Sequence, residues 1–414
     1  MTFSIVPLAL VALVGSAAGL HAAEPLPSTG PSARSDSRKY KSHDYTEADH
    51  KFRLVVPEDL EVVRGILVVG PYSGGDSRDY HQQVWYREFM HLHGFAFLGA
   101  KDFYLHDYKV LQNALKQFAA DSKHPELVTA PYAATGFSAG GGFARRLLMA
   151  DPDRLITAVI VGSTLKFDGK PTAASLGTPV CVINGDLEHE PGEASGMAAA
   201  LEPVLAEYRP KGALWGWMAV EGVGHEFAGQ EVLAMPMLDA AVRLRYPAEG
   251  DVRKGPLKLK PIDPESGWVA DNTTWKSGLT TIAPAREFKG RIAKSSWLLN
   301  EDVAFVYRAY ATYDRPLKIT SPLNTSARDL VLDAGSSVRI VVDDSQFAGW
   351  KKLDLFDGAK MVGELAKGPA EFTVKDLKAG YHAFSVLGTD GEGNVRPSGP
   401  VLVVVRKLAD TSRP

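Results

Sequence analysis

Apolar and polar positions along this chain follow one pattern up to about residue 250 and a different one after about residue 317. In the first region, short β-branched runs at 51–56 and 65–69 and further short, mostly apolar runs at 95–99, 132–136, 157–161, 180–184 and 214–220 read as strands. Between them, 80–93, 107–120, 139–149, 194–208 and 231–246 carry apolar residues at helical spacing. In the second of these, Val110, Leu111, Leu115 and Phe118 share one face, the mark of an amphipathic helix. Strands alternating with helices predict a mainly parallel sheet covered on both faces. Ligands in such sheets bind beyond the carboxyl ends of the strands.

From about Leu317 the helical spacing stops. Short alternating runs at 339–342, 352–356, 371–374, 381–387 and 401–406, separated by Gly and Asp turns, predict an all-β sandwich over 316–408. It resembles immunoglobulin-like modules. The stretch 251–315 begins rich in Lys and Pro and then holds Trp268, Trp275 and Trp297. It reads as a linker followed by an extension packed on the first domain. Thr389–Asn394 partly mimics a calcium loop but lacks the ligand spacing, so a polar turn is expected there.

The N-terminal segment changes the picture of where the chain works. Ile5 to Leu20 is apolar or small, and Ala22 and Ala23 follow. This is the pattern of an export signal over 1–23, although no Lys or Arg precedes the apolar run. Residues 24–45, rich in Pro, Ser and charge, read as a flexible tether ahead of a catalytic domain over 46–250. The expected location is secreted or periplasmic, with no stable membrane association after signal removal. The lone Cys181 lies in an apolar run and reads as a buried strand thiol.

The strongest chemical signal is Gly136-Phe137-Ser138-Ala139-Gly140. It follows an apolar strand and opens a helix, the context that a G-x-S-x-G nucleophile elbow requires. Here the chain resembles the α/β-hydrolase superfamily. More narrowly, it is similar to secreted esterases related to dienelactone hydrolases and polyester depolymerases. The resemblance covers about residues 50 to 247 and implies a serine nucleophile, Ser138.

The same resemblance implies a histidine base after the last strand, and Gly224-His225-Glu226-Phe227 stands there. It implies an acid in the loop after the preceding strand, which reads Asn184-Gly185-Asp186-Leu187-Glu188-His189-Glu190. Family spacing points to Glu188, with Asp186 as its competitor and Glu190 a remote third. For the oxyanion, the backbone N–H of Ala139 is one expected donor. The second is expected from the loop Gly70-Pro71-Tyr72-Ser73-Gly74-Gly75, where Pro71 has no N–H and Tyr72, then Ser73, can donate.

Composition excludes some alternatives. A formal net charge of -3 over 414 residues argues against a nucleic-acid partner. No zinc-ligand spacing appears, and the expected chemistry needs no metal or organic cofactor. The reading is therefore a serine hydrolase acting on a carboxylic ester through an acyl-enzyme. A short segment between the strands ending near Val161 and starting near Val180 predicts an open cleft that admits polymeric or bulky esters. A peptidase or acyltransferase on the same triad is one rival. A glycan- or surface-binding protein with an inactive hydrolase scaffold is another. Oligomeric state is not legible.

Overall fold

The computed structural model describes residues 38–101, 108–189, 199–226, 229–322 and 331–407. The expected export signal, the tether up to residue 37 and Glu190 lie outside these residues. The central sheet has eight strands: β1 (Tyr40–Glu47), β2 (His50–Pro57), β3 (Gly65–Gly70), β4 (Phe95–Lys101), β5 (Tyr132–Phe137), β6 (Leu155–Val161), β7 (Val180–Gly185) and β8 (Trp215–Val220). Their spatial order is β1-β2-β4-β3-β5-β6-β7-β8. From β4 through β8 all neighbours are parallel, while β1 and β2 pair antiparallel at the edge. The parallel strands β3, β5, β6, β7 and β8 are buried along their whole length. That is why they read as continuous apolar runs without alternation. Cys181 is fully buried in β7, and burial pushes its thiol up to about 12.

The helices are α1 (Val84–His93), α2 (Tyr108–Ser122), α3 (Ala139–Ala150), α4 (Ala173–Leu176), α5 (Leu201–Tyr208) and α6 (Glu231–Arg245). The chain leaves β3 toward β4 on one side and then returns to place β5 on the other. The carboxyl ends of β3 and β5 therefore flank a topological switch point, where crevices form in such sheets.

One sequence expectation is corrected at the start. The tether does not run to residue 45, because Tyr40–Glu47 pairs with β2 over its full length. Tyr40 and Tyr45 pack against the core, and the Tyr40 hydroxyl meets His91 Nε2 at 2.8 Å. The polar look of this strand comes from its exposed positions, Lys41, Ser42, Asp44 and Thr46.

The region after α6 is more ordered than its sequence suggested. It forms a three-stranded sheet of β9 (Trp268–Asp271), β10 (Ile282–Pro284) and β11 (Ser295–Leu298), followed by helix α7 (Glu301–Ala311). Asn300 caps α7, its side chain accepting from Val303 N–H at 2.9 Å, with Glu301 and Asp302 in the first turn. This sheet docks on the edge of β8. Ser296 Oγ accepts from the Trp217 N–H at 2.8 Å, and the Tyr307 hydroxyl donates to the Trp217 carbonyl at 2.5 Å. Side chains thus satisfy backbone groups that a further strand would otherwise occupy.

The C-terminal region is a sandwich, as the alternating pattern predicts. One sheet holds β12 (Lys318–Ser321), β14 (Val338–Asp343) and β17 (Glu371–Val374). The other holds β13 (Val331–Asp333), β20 (Val401–Arg406), β18 (Gly380–Thr389), β15 (Lys352–Asp357) and β16 (Lys360–Leu365), with β19 (Val395–Pro397) on β18. Strand β20 is buried on both faces. Val401, Val403 and Val405 enter the sandwich core, while Leu402 and Val404 join the core of the first domain. Each such side chain contributes about 1.5–3 kcal/mol by burial. The Tyr381 hydroxyl donates to the Trp85 carbonyl at 2.6 Å across the same junction. In the 389–394 turn the Asp390 carboxylate accepts from the Glu392 and Asn394 N–H groups at 2.8 and 2.9 Å, so it closes a hairpin.

Candidate active site

Three segments converge at the carboxyl edge of the sheet. The first is the turn between β5 and α3. Ser138 has φ 57 and ψ -114, a left-handed region that a non-glycine residue rarely enters. The turn is held by the Ser138 N–H donating to the Val161 carbonyl at 2.8 Å. Two glycines make it sterically feasible. A Cβ at Gly136 would stand 2.4 Å from the Gly140 carbonyl carbon, and one at Gly140 only 2.1 Å from the Gly70 oxygen. The turn is therefore packed backbone on backbone, both within itself and against the end of β3.

The second segment follows β8 and carries His225. Its Nε2 lies 2.9 Å from Ser138 Oγ, so the hydroxyl donates to the imidazole. The Phe137 ring lies alongside, with centroids 4.8 Å apart at 32°. This contact limits how the imidazole can tilt.

The third segment is the loop after β7. Glu188 Oε1 is 3.3 Å from His225 Nδ1, which donates to it. The other oxygen, Oε2, accepts from Asn184 Nδ2 at 2.6 Å. The Glu188 side chain is only 1% exposed against 22% for His225. The acid is thus screened from water behind the imidazole, and its charge acts on the imidazole in a low-dielectric setting.

Asp186 takes a different direction. Its Oδ1 accepts from the Gly222 N–H at 2.8 Å, in the loop that leads to His225. The expectation that Asp186 could orient the imidazole is corrected: it clasps the histidine loop instead. The reason is the single 3₁₀ turn Asp186–His189, which turns the two carboxylates toward different partners. The Leu187 N–H adds a bond to the Val223 carbonyl at 3.0 Å. A Cβ at Gly185 would stand 1.9 Å from that same oxygen, so only glycine admits the histidine loop this close. Sequence reasoning passed over Asn184, Gly185 and Phe137. The available signal was a polar residue, Asn184, closing an otherwise apolar buried strand.

For the oxyanion, the Ala139 N–H opens α3 and has no carbonyl one turn back to bond. The loop after β3 is pressed onto this helix start, since a Cβ at Gly140 would also meet the Pro71 oxygen at 2.8 Å. Tyr72 follows directly and is 44% exposed. Its carbonyl accepts from the Gly75 N–H at 2.9 Å, with Gly74 at φ +75, so residues 72–75 form a tight turn. The two expected donors, Ala139 and Tyr72, therefore belong to abutting segments. Among the described residues, no three His, Cys, Asp or Glu side chains converge as metal ligands.

A sheet in this strand order, with a serine on a strained turn after β5 and a histidine after β8, is the α/β-hydrolase fold. No family model matches the chain, and no curated protein matches it. Among solved structures, the chain is similar to the fibronectin(III)-like modules of Clostridium thermocellum CbhA, at 15% identity over 22% of this chain and 46% of that one, with TM-score 0.20. It is similar to a thermostable esterase at 15% identity over 44% of this chain and 54% of that one, with TM-score 0.34. It is also similar to a dienelactone hydrolase from Anabaena variabilis at 15% identity over 50% of this chain and 98% of that one, with TM-score 0.34. The chain spans about half the length of the first two structures.

Proposed function

We propose that the protein is an exported serine hydrolase that cleaves a carboxylic ester through an acyl-enzyme. The observation that carries this reading is the 2.9 Å contact between Ser138 Oγ and His225 Nε2, backed by Glu188. A serine hydroxyl is a weak nucleophile until a base within hydrogen-bond reach takes its proton as it attacks. His225 is that base. Glu188 keeps the tautomer with the proton on Nδ1 and stabilises the imidazolium that forms. The Ser138 oxygen bonds to the ester carbonyl carbon, and the carbonyl oxygen becomes an oxyanion held by the N–H groups of Ala139 and Tyr72. Collapse expels the alcohol, which takes the proton from His225. Water then attacks the acyl-serine by the same route and releases the acid.

The strain at Ser138 supports a catalytic use. A non-glycine residue in a sparsely populated region costs about 1–3 kcal/mol. A scaffold that merely bound glycans would gain nothing from it. The apolar run before Ala22 and Ala23 supports export.

The test is labelling with a fluorophosphonate followed by peptide mapping, together with turnover of p-nitrophenyl acetate. The expected label falls on Ser138, and Ser138→Ala abolishes both label and turnover. Undiminished turnover by Ser138→Ala would refute the reading.

A further inference from the structure

The Glu188 carboxylate is buried, and among the described residues two groups donate to it. His225 Nδ1 reaches Oε1 at 3.3 Å, and Asn184 Nδ2 reaches Oε2 at 2.6 Å. The Asn184 bond is much the shorter, so the amide fixes where the carboxylate sits more firmly than the imidazole does. Without that donor, a buried carboxylate oxygen would be left unmet, which folds avoid.

Asn184 stands near the end of β7, paired with Ala219 of β8, and is only 2% exposed. Its amide also donates to the Ser163 carbonyl at 3.3 Å. Turning the amide over would set its oxygen against two other acceptors, so the partners fix which atom is nitrogen. The segment reached by this second bond borders the imidazole. A Cβ at Gly162, where φ is +53, would meet His225 Cε1 at 3.2 Å and the Phe137 ring at 2.5 Å. One planar amide thus ties the acid behind the imidazole to the turn beside it.

The rest of the side chain does nothing for the fold. Asn184 Oδ1 is buried and, among the described residues, has no hydrogen-bond partner. An unmet buried acceptor is destabilising. The β7 residues before it, Val180, Cys181, Val182 and Ile183, are all apolar, and one more apolar side chain would suit the strand better. What the amide supplies is the donor to Glu188, and it is a donor of the right charge. A lysine or arginine there would cancel the negative charge that faces His225. A neutral amide holds the carboxylate and leaves its charge to act on the imidazole.

We propose that Asn184 is a positioning residue of the triad: by anchoring Glu188 Oε2 it aims Oε1 at His225 Nδ1, and it acts on catalysis through Glu188. The inference rests on the serine-hydrolase reading above and adds a further side chain to its machinery.

The test is a double-mutant cycle in the full chain, read as kcat and KM on p-nitrophenyl acetate. Circular dichroism and thermal unfolding establish that each variant is folded. Asn184→Leu removes the donor at similar volume. It should lower kcat by about 10- to 100-fold in the wild-type background, with KM changed less than about threefold. In the Glu188→Gln background the same substitution should lower kcat by less than about twofold, because the carboxylate it serves is already gone. Asn184→Asp keeps the shape of the side chain and carries the cycle if the leucine variant does not fold. Alone, it sets two carboxylates together and should lower kcat by about tenfold or more. Combined with Glu188→Gln, the new amide can donate to the new carboxylate, and the further loss should again stay below about twofold. Equal losses in the two backgrounds, or a folded Asn184 variant with wild-type kcat, would overturn the proposal, while fluorophosphonate labelling of Ser138 left the hydrolase standing. Failure of both Asn184 variants to fold would make the amide a core group and overturn it too. Full turnover by Ser138→Ala would take down both readings.

Discussion

Glu188 and His225 meet at 3.3 Å between Oε1 and Nδ1, and other bonds between their loops set that approach. Asp186 holds the Gly222 N–H, and Leu187 holds the Val223 carbonyl. The two acids, two residues apart, thus have separable roles. Glu188→Gln should lower kcat by about 10²- to 10⁴-fold with little change in KM, as loss of an orienting carboxylate does. Asp186→Ala should lower kcat by less than about tenfold, because Gly222 is exposed and water can replace the lost acceptor. Steady-state kinetics on p-nitrophenyl acetate distinguishes them. A larger loss from Asp186→Ala than from Glu188→Gln would reverse the assignment.

Two glycines in α3, two residues apart, should respond oppositely to alanine. At Gly140 the new Cβ would lie 2.1 Å from the Gly70 oxygen, a backbone atom that cannot swing aside. Gly140→Ala should destabilise by about 1–3 kcal/mol or more and displace the loop before Tyr72, with activity lost. At Gly142 the added methyl has open space, so Gly142→Ala should stabilise by up to about 1 kcal/mol. Denaturant titration of both variants checks the signs.

The extension after residue 250 should unfold with the catalytic domain. Ser296 Oγ accepts from the Trp217 N–H at 2.8 Å and reaches the Trp217 carbonyl at 2.7 Å, both buried. Ser296→Ala leaves a buried N–H on the edge strand without this partner, at a cost of about 1–3 kcal/mol. Thermal unfolding should show one transition at lower temperature by both tryptophan fluorescence and circular dichroism. Two separate transitions would mean that the extension is an independent unit.

The sandwich should be less stable in base than near neutrality because of His382. Its Nδ1 lies 2.6 Å from Asp357 Oδ2 and its Nε2 lies 2.8 Å from the Lys378 carbonyl. Both partners are acceptors, so both ring nitrogens must donate and the ring is cationic. Burial by itself would lower the imidazole pKa; the hydrogen bond and charge of Asp357, with the Lys378 carbonyl, outweigh it and the net shift is upward. A pKa raised on folding means that the folded state holds the proton more tightly. The stabilisation is full below the unfolded value of about 6.5 and fades as pH rises through the higher folded value. Unfolding of wild type and His382→Gln, followed from about pH 5 to 9, should show a gap that narrows with pH. A gap that widened would contradict the ion pair.

How much of this was legible beforehand differs from element to element. Helix α7 carried a readable signal, an Asn300 cap followed by acids and by Val303, Val306, Tyr307 and Tyr310 on one side, yet the tryptophans around it suggested irregular packing. Strand β1 was hidden because its exposed face is as polar as a linker. Strand β20 was visible as an apolar run, but not that its two faces serve two cores.

The amino-acid order by itself determined the parallel strands, the alternating sandwich and the strained serine turn between its glycines. These follow from local burial and local backbone sterics, which leave their mark on neighbouring residues. Tertiary structure alone decided which carboxylate faces His225, that the extension covers the edge of β8, and that the two faces of β20 serve two cores. Each depends on segments far apart in the chain coming together at a particular angle, and no periodicity within one segment encodes the direction from which its partner arrives.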